Sequence, residues 1–446
     1  MFQFLVSFTG WNRALHNRRV VSEEGKIKVC VVGAGAAGLC AARHLAANTK
    51  FETTVYEQTN EIGGTWVYKE QIGFDENGLP IHSSMYQNLR TNLPAKIMNF
   101  PDYITMEAQE PCCVSHQEIL KYLRDYAQHF DICRHIQFNT RVEHVRYELA
   151  EDCNTEKWSV QVKKLKTNET ELRYFDAVMI CNGHYFEPYI PTIPGIDSFP
   201  GLILHSHDYR KPDKFLGKKV LVLGASSSGI DIGIELSDYA ACVYLSHNHD
   251  RLTSPLPSNM IQVAGIESIH ETTFHLRDGT TVDDINFFLF CTGYKYNFPF
   301  LNENCGIHID DNYVTPLYKH LINIEHPSMC IVGIPTIVVP FPMFHMQVQY
   351  FLALLEGRVT LPTKSMMLED SIVKTPKKRH AHKLMDYQWD YNDSLAIAGG
   401  FNQLPLFYKL GYKAWSIQRS ANLLRYKDSK FVFSEDGQSV QLIIPE

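Results

Sequence analysis

The sequence has no run of 18 or more consecutive apolar residues, and its last apolar stretch, Val440–Ile444, is too short to cross a bilayer. We therefore predict no transmembrane anchor. The sequence also lacks a secretory signal, because the few apolar side chains within residues 1–21 come before the arginines there, which reverses the order that export requires. We expect a disordered extension over residues 1–25, with a mitochondrial-type leader as the alternative.

Basic residues are too few for a broad polyanion-binding surface. Lys and Arg number 42 against 49 Asp and Glu, a net charge of −7, so we expect no nucleic acid partner. The 11 cysteines include no C-x-x-C pair, and the 20 histidines show no ligand spacing, so no metal site is predicted. The cysteines indicate buried thiols in a reducing compartment. We expect a cytoplasmic protein, at most peripheral to the endoplasmic reticulum.

A nucleotide-binding unit is predicted near the start of the chain. A β-rich run, Lys26–Val32, precedes a glycine turn and an Ala-rich helix, and a second strand ends at Glu57. Gly33 permits the tight turn, Gly35 lets the backbone approach a pyrophosphate, and Gly38 lets the helix pack on the strand. The Glu57 carboxylate is placed to hydrogen-bond ribose hydroxyls. We predict that a dinucleotide binds at Gly33, Ala34, Gly35, Ala36, Ala37, Gly38 and Glu57. The alternative is a purely structural turn.

The same unit recurs in the second half of the chain. A strand, Lys219–Leu223, precedes another glycine-containing turn and a helix, and the next strand ends at Ser246. Ser246 stands where the first unit has its acid, and the absence of a carboxylate permits the 2′-phosphate of NADPH. No Arg stands at this strand end. The nearest candidates for meeting the phosphate are His247, His249 and Arg251, unless they form only a polar loop. We predict a second dinucleotide at Gly224, Ser226, Ser228, Gly229, Ile230 and Asp231.

The predicted fold class is α/β, with two Rossmann-like dinucleotide-binding domains of which the first is discontinuous. Composition supports a folded globular chain, with 45% hydrophobic and 20% charged residues, and 446 residues suit two or three domains. Each unit closes with an apolar strand that ends in glycine, and after Gly293 we expect a return to the first domain through Cys330–Gly333 and a helix from about His345 to Leu355. The predicted division is an extension at 1–25, a first domain at 26–210, a second at 211–293, and the rest of the first domain with C-terminal helices at 294–446.

Several motifs, in this order, resemble the flavin-containing monooxygenases. Between the two glycine turns lies an F-x-G-x-x-x-H-x-x-x-Y signature, Phe199 to Tyr209, which is a fingerprint of that family. The match spans Lys26 to Gly333 and is strengthened by Gly63–Trp66, Asn88–Pro94 and Cys291–Tyr294. The chain is most similar to the shorter, insect-type members that have no C-terminal membrane anchor.

The resemblance implies FAD in the first domain and NADPH in the second. A C4a-hydroperoxyflavin would oxygenate a soft nitrogen or sulfur atom of a small amine or sulfide with O2, as in dimethylaniline-type N-oxide formation and xenobiotic metabolism. It implies that Asn92 is catalytic, donating a hydrogen bond near the flavin or the retained nicotinamide nucleotide. His205 would join the two domains rather than transfer protons. Further FAD contacts are implied for Gly64, Thr65, Trp66, Thr91, Asn92 and Leu93.

Three other functions remain open at this stage. A Baeyer-Villiger monooxygenase shares the cofactors, but its signature ends in Trp where this chain has Tyr209. A disulfide reductase would need a redox pair, for which the adjacent Cys112 and Cys113 are poorly suited. The third is a protein that only binds nucleotides, or an uncoupled oxidase that turns NADPH and O2 into peroxide.

Overall fold

The computed structural model of the chain describes residues 25–107, 111–150, 155–373, 375–434, 436 and 438–443. All but the last residue of the predicted N-terminal extension lie outside the described residues. None of the helices in these ranges is both long and apolar enough to cross a bilayer.

The first part of the chain contains the predicted strand, glycine turn, helix and second strand. The first strand is central because its last four residues, Val29–Val32, are apolar and buried. A capping box, in which Ser115 and Glu118 satisfy each other's backbone N–H groups, starts the third helix. The elements are β1 (Ile27–Val32), α1 (Ala36–Ala46), β2 (Phe51–Tyr56), α2 (Ala95–Met98), α3 (His116–His129), β3 (Ile136–Gln137), β4 (Thr140–Ala150), β5 (Thr155–Lys164), β6 (Thr170–Phe175), β7 (Ala177–Ile180), β8 (Glu187–Pro188) and β9 (Leu202–His205).

The middle of the chain repeats this arrangement on a smaller scale. Its closing strand, Phe-Phe-Leu-Phe, is buried at every position, as a strand covered on both faces must be. The elements are β10 (Lys219–Leu223), α4 (Ser227–Ser237), β11 (Cys242–Ser246), β12 (Met260–Val263), β13 (Ile266–His270), β14 (Thr273–Leu276), β15 (Thr281–Val282) and β16 (Phe287–Phe290).

The last part of the chain adds short strands and four helices. The helix expected from about His345 begins at Pro340, because proline fits the first turn of a helix, where its missing N–H costs nothing. The elements are β17 (Tyr294–Lys295), β18 (His308–Asp310), β19 (Tyr313–Thr315), β20 (Leu317–Tyr318), β21 (Ile322–Asn323), β22 (Met329–Ile331), α5 (Pro340–Leu355), α6 (Lys364–Asp370), α7 (Gln388–Gly399), α8 (Leu406–Ala421), β23 (Lys430–Phe433) and β24 (Val440–Ile443).

Two largely parallel sheets organise the molecule and confirm the predicted α/β class. The first sheet has the order β20-β21-β22-β7-β1-β2-β3, so strands from the last part of the chain complete it, as expected. The second sheet has the order β12-β11-β10-β16-β9, and all of its pairs are parallel. The predicted hairpin before β7 is also present, as part of the antiparallel meander β4-β5-β6 that packs on the first sheet.

The ninth strand belongs to the second sheet. The sequence analysis put β9 in the first domain, residues 26–210, but its four residues pair with β16, from Leu202 with Phe287 to His205 with Phe290. A buried strand needs partners for its backbone groups on both edges, and β9 supplies those of β16. We therefore propose that the second domain starts between β8 and β9 rather than at residue 211.

The chain leaves the first sheet and returns to it along one short ribbon. Strands β8 and β17 pair antiparallel, Glu187 with Lys295 and Pro188 with Tyr294. The chain therefore crosses to the second sheet and back at this ribbon, where the outgoing and returning segments lie side by side.

Candidate functional site

The first glycine turn is closed by two backbone contacts that leave no space for a side chain. Gly33 has φ +101°, and a Cβ atom there would lie 2.7 Å from the carbonyl oxygen of Cys181, just after β7. A Cβ on Gly38 would lie 1.8 Å from the carbonyl oxygen of Gly33. The turn thus holds the start of α1 against two parallel strands, and the unpaired N–H groups of that helix start can face a phosphate.

Gly35 is different, because the fold itself would accept a side chain there. Its backbone is extended, with φ −73°, and its added Cβ would meet the Cα and N of Gly64 at 3.5 and 3.9 Å, which are ordinary van der Waals distances. Glycine at this position leaves an open backbone surface on the outside of the turn. A pyrophosphate lying against the backbone would require such a surface.

The carboxylate of Glu57 is buried and fastens the turn to the end of β2. One oxygen accepts the N–H of Ala34 at 2.8 Å, and the other accepts the N–H and hydroxyl of Thr59 at 2.8 and 2.9 Å. A carboxylate has about four acceptor positions. The Glu57 oxygen that accepts from Ala34 therefore has a free acceptor position. A ribose hydroxyl can donate to it, which is the role predicted for Glu57 from the sequence.

A third glycine segment packs directly on the first turn. The N–H of Gly63 donates to the carbonyl of Ala34 at 3.0 Å, and Gly64 has φ +55°. The next residue, Thr65, has a buried hydroxyl without a hydrogen-bond partner among the described residues. Trp66 is half-buried and meets the Phe341 ring of α5 edge to face. The open glycine surface and the unsatisfied hydroxyl of Thr65 fit a polar cofactor such as FAD.

The second glycine turn repeats the contacts of the first. Gly224 has φ +113°, and its Cβ would lie 2.4 Å from the carbonyl oxygen of Cys291, just after β16. A Cβ on Gly229 would lie 1.8 Å from the carbonyl oxygen of Gly224. Ser226, the counterpart of Gly35, is extended with φ −91°. A side chain is therefore tolerated there, and its hydroxyl is available to a nucleotide phosphate.

The end of β11 carries no carboxylate, as the sequence analysis required for a nucleotide with a 2′-phosphate. Ser246 is fully buried and donates its hydroxyl to the carbonyl of Ala264 at 2.8 Å. His247 is also buried, and its Nε2 lies 3.3 Å from the side-chain oxygen of Gln262. Of the three candidates for meeting a 2′-phosphate, His249 and Arg251 are the exposed ones.

Asn92 lies in a loop whose backbone is tightly held. Thr91 pairs its N–H with the carbonyl of Val114 at 2.8 Å, and its hydroxyl donates to the carbonyl of Leu93 at 2.7 Å. The side-chain oxygen of Asn92 faces the hydroxyl of Tyr426 at 3.4 Å. No described residue accepts a hydrogen bond from the Nδ2 group of Asn92. Its amide is thus oriented on one side and offers a free donor on the other.

The loop that carries Asn92 also contacts α4, through a set of side chains that we call the α4 contact. Tyr86 donates to Asp231, and Lys427 donates to the other oxygen of the same carboxylate. Asn88 donates to Glu235 at 2.7 Å. Asp231, predicted to bind the nucleotide, is therefore engaged with the neighbouring loop and the C-terminal segment.

The family signature residues lie at the edge of the second sheet, and His207 between them reaches the first part of the chain, with its Nε2 3.1 Å from the carbonyl oxygen of Ile81. His205 accepts the N–H of His207 at Nδ1, and its Nε2 lies 3.1 Å from the carbonyl of Gly293. Burial lowers the pKa of His205 to about 4, so the ring is neutral at pH 7. Tyr209 is fully buried and donates to Glu235 at 2.6 Å. Both side chains have structural partners within the second unit, and the joining role expected for His205 stays a prediction.

The C-terminal turn at residues 426–428 is the part of the site that the sequence analysis missed. Arg90 donates to Asp428 at 2.7 Å and to the carbonyl of Lys427 at 2.8 Å. Burial raises the pKa of Tyr426, so its hydroxyl stays protonated and can donate to Asn92. These partners are more than 330 residues apart in sequence, and no local pattern marks them.

Cys112 and Cys113, considered above for a reductase, are buried thiols whose sulfur atoms lie 3.7 Å apart. Cys112 is close to the carbonyls of Tyr426 and Lys427. Their position against the C-terminal turn gives this pair a packing role.

Comparison with known proteins gives a consistent result. The model of the flavin-binding monooxygenase-like family matches residues 26–253 and 248–399. A relative from Arabidopsis thaliana, flavin-containing monooxygenase FMO GS-OX-like 4, is 36% identical over 425 residues, which is 90% of this chain and 93% of the relative. The structure of S-allyl-L-cysteine S-oxygenase from Allium sativum is similar with a TM-score of 0.83 and 35% identity, over 92% of this chain and 96% of that one.

A more distant structure shares only the fold. Cyclohexanone monooxygenase from Rhodococcus sp. Phi1, solved with NADP+, has a TM-score of 0.59 and 15% identity, over 84% of this chain and 98% of that one.

We predict that Gly35→Ala yields a folded protein without flavin, whereas Gly38→Ala fails to fold. Alanine at 35 meets no backbone closer than 3.5 Å, but at 38 it would overlap the Gly33 carbonyl. The visible flavin spectrum after gel filtration and the far-UV circular dichroism of the two variants test this pair. A yellow Gly35→Ala protein would contradict the pyrophosphate contact at this glycine.

Proposed function

Since the chain belongs to the flavin-binding monooxygenase-like family, we propose that it uses NADPH and O2 to oxygenate the sulfur atom of a small organic sulfide. Membership in the family establishes a flavin-dependent monooxygenase that uses FAD and NADP(H). The S-oxygenase from Allium sativum, at 35% identity over nearly the whole chain, supports sulfur as the target. The N-oxide formation and xenobiotic metabolism expected from the sequence remain predictions.

The observation that carries the proposal is the free amide donor of Asn92 in a loop held by α4 and by the C-terminal turn. FAD, when bound, supplies the activation of O2. The chain must place a hydrogen-bond donor beside the reacting oxygen and keep water out. Tyr426 orients the amide from one side, and Thr91 fixes the backbone on which it is carried. The Nδ2 group is thereby preorganised to donate towards the oxygen that is transferred or towards the nicotinamide nucleotide.

The two glycine turns support FAD at the first sheet and NADPH at the second. The first turn has Glu57 at the end of its second strand, which suits the unphosphorylated ribose of FAD. The second has the uncharged Ser246 at the same place, with His249 and Arg251 exposed after it. The absence of an acid at the strand end and the nearby guanidinium of Arg251 favour NADPH over NADH.

The α4 contact gives the two nucleotide sites a fixed relative position. Hydride transfer requires the nicotinamide to lie against the flavin, so an error of about 1 Å between the sites is costly. Asp231 and Glu235 are one helical turn apart on α4, directly after the second glycine turn. Their bonds to Tyr86 and Asn88 connect that helix to the loop of Asn92.

To test the proposed function, the purified protein is given NADPH, O2 and one of three probes: S-allyl-L-cysteine, N,N-dimethylaniline or cyclohexanone. We expect sulfoxide formation, with a kcat/KM at least about tenfold above that for the amine or the ketone, a difference of about 1.4 kcal/mol in transition-state binding. Mass spectrometry identifies the product, and NADPH consumption is recorded in parallel.

If the N-oxide forms preferentially, the target atom is nitrogen and the proposal of a sulfur oxygenase is wrong. Preferred lactone formation would favour a Baeyer-Villiger monooxygenase. Peroxide in stoichiometric yield with every probe would favour the uncoupled oxidase.

We expect Asn92→Ala and Asn92→Asp to retain flavin and to consume NADPH, but to lower product formation by about a hundredfold. Loss of one positioned donor in a shielded site typically costs this much. The aspartate variant keeps the size of the side chain but exchanges the amide donor for a charged acceptor, whereas the alanine variant removes the donor without adding a charge, so an effect shared by both variants reports the loss of donation. The ratio of product formed to NADPH consumed is measured, with the exposed Asn77→Ala as control. An unchanged ratio in both variants would remove Asn92 from the catalytic role.

Replacement of Arg251 by Ala should raise the KM for NADPH by about ten- to a hundredfold and leave that for NADH unchanged. A charge-assisted hydrogen bond to a phosphate contributes about 1.5 to 3 kcal/mol. The exposed Arg277→Ala, in the same part of the chain, is the matched control. Equal effects of Arg251→Ala on the two nucleotides would contradict recognition of the 2′-phosphate by this residue.

A further inference from the structure

A group of metal-ligating side chains lies on the second half of α1, on the part of the helix that follows the glycine turn. Cys40 and His44 are one helical turn apart and face His345 of α5. Asp102, from the loop after α2, lies beside both histidines. We call these four side chains the α1–α5 cluster. Three separate segments of the chain thus contribute a thiol, two imidazoles and a carboxylate to one place.

The donor atoms are separated by distances that a single ion could bridge. His44 Nε2 lies 3.0 Å from His345 Nδ1, and the two nitrogens lie 3.8 and 3.5 Å from the nearest oxygens of Asp102. The sulfur of Cys40 and the two imidazole nitrogens all lie within 4.8 Å of one another. Ligands about 2.0 to 2.3 Å from a tetrahedral zinc ion lie about 3.3 to 3.8 Å from each other. The thiol and the two imidazoles are therefore within reach of one ion, and the Asp102 carboxylate, which lies outside this group of three, has to turn towards it to become the fourth ligand.

The carboxylate of Asp102 has unmet bonding capacity. Both of its oxygens are buried, and neither accepts a hydrogen bond with good geometry from a described residue. Arg43 pairs with one oxygen at 2.9 Å, but its guanidinium also lies over the Phe130 ring, and its Nε–H is not directed at the oxygen. Arg43 thus balances the charge of the carboxylate but leaves buried acceptor positions on its oxygens without a hydrogen bond, which is unfavourable. A cation between Asp102 and the histidines would use those positions.

The charge balance also suits a divalent ion. A 2+ ion bound by a thiolate and a carboxylate forms a neutral group, with the two imidazoles as uncharged ligands. Arg43 can remain paired with the outer side of Asp102, as second-sphere partners of metal-bound carboxylates do. A mixed S, N, N, O ligand set selects zinc or a similar transition-metal ion rather than Mg²⁺ or Ca²⁺.

We propose that Cys40, His44, Asp102 and His345 bind one Zn²⁺ ion as a structural site. Four protein ligands leave no open position, so the ion holds α1, the loop after α2 and α5 together without taking part in oxygenation. The sequence analysis predicted no metal, because His44 and His345 are 301 residues apart and the motif exists only in the folded chain.

The test uses the FAD-loaded wild-type protein, treated with a chelator and then titrated with Co²⁺ as a spectroscopic probe. We expect one tightly held ion per chain, with intense tetrahedral absorption at wavelengths longer than the flavin bands and a thiolate-to-cobalt band. One equivalent of Zn²⁺ should displace the cobalt and raise the melting temperature, because an ion that binds only the folded state stabilises it.

Variants identify the ligands. Cys40→Ser and His345→Gln should each lower the affinity for Co²⁺ by at least about tenfold, the lower end of what loss of even a supporting partner costs. The exposed Cys133→Ser and His270→Gln should bind as wild type does and serve as matched controls.

Substoichiometric cobalt, a weak octahedral spectrum or unaltered binding in the two cluster variants would overturn the proposal. Should the variants not fold, X-ray absorption of the zinc-loaded wild type decides. One sulfur ligand with nitrogen and oxygen ligands supports the site, and a ligand set without sulfur refutes it.

Discussion

The arrangement of the whole molecule depends on a backbone contact made twice, between the start of a helix and the carbonyl that ends a strand. In each turn the last glycine lies so close to the first that a Cβ would be 1.8 Å from its carbonyl oxygen. The first glycine in turn lies against the carbonyl of Cys181 or Cys291 at the end of a neighbouring strand. A cysteine is small enough to pack under the helix at this point, with its own Cβ 3.6 or 3.3 Å from the Cβ built on Gly38 or Gly229. This is a packing reason for two of the eleven cysteines.

The relation between the two sheets depends on charged groups and not on the turns. Asp231 and Glu235 of α4 accept hydrogen bonds from Tyr86, Asn88, Tyr209 and Lys427. Burial raises the pKa of Glu235, because a carboxylate loses hydration there, and the Tyr209 and Asn88 donors oppose that shift. Such pairs contribute more to register than to stability, since the cost of desolvation offsets much of their attraction. The contact therefore acts chiefly to fix how the two nucleotide sites face each other.

Local pattern was enough to predict the two nucleotide-binding units, because strand, glycine turn and helix are each determined by neighbouring residues. It also predicted that Cys330–Gly333 returns to the first sheet, since a short apolar run needs a buried place. It gave no sign of the pairing of β9 with β16, because Leu202 and Ile203 of β9 are exposed. Local pattern could not predict that Tyr426 contacts Asn92 or that Asp428 pairs with Arg90, because these pairs form only when distant segments of the chain pack together. The turns that would carry the predicted cofactor contacts are present, and the contacts themselves stay predictions.

The ribbon of β8 and β17 has a consequence for the order in which the protein can assemble on the ribosome. Every strand of the second sheet has been synthesised once residue 290 is made, while the first sheet still lacks β20, β21 and β22. The segment that begins later can therefore finish first, as domains generally fold once their own strands are available. The edge of β7 has meanwhile no partner strand, because β22 (Met329–Ile331), which pairs with it, has not yet been synthesised. That waiting edge is the place where a nascent chain of this architecture is open to wrong pairing or to protection by a chaperone.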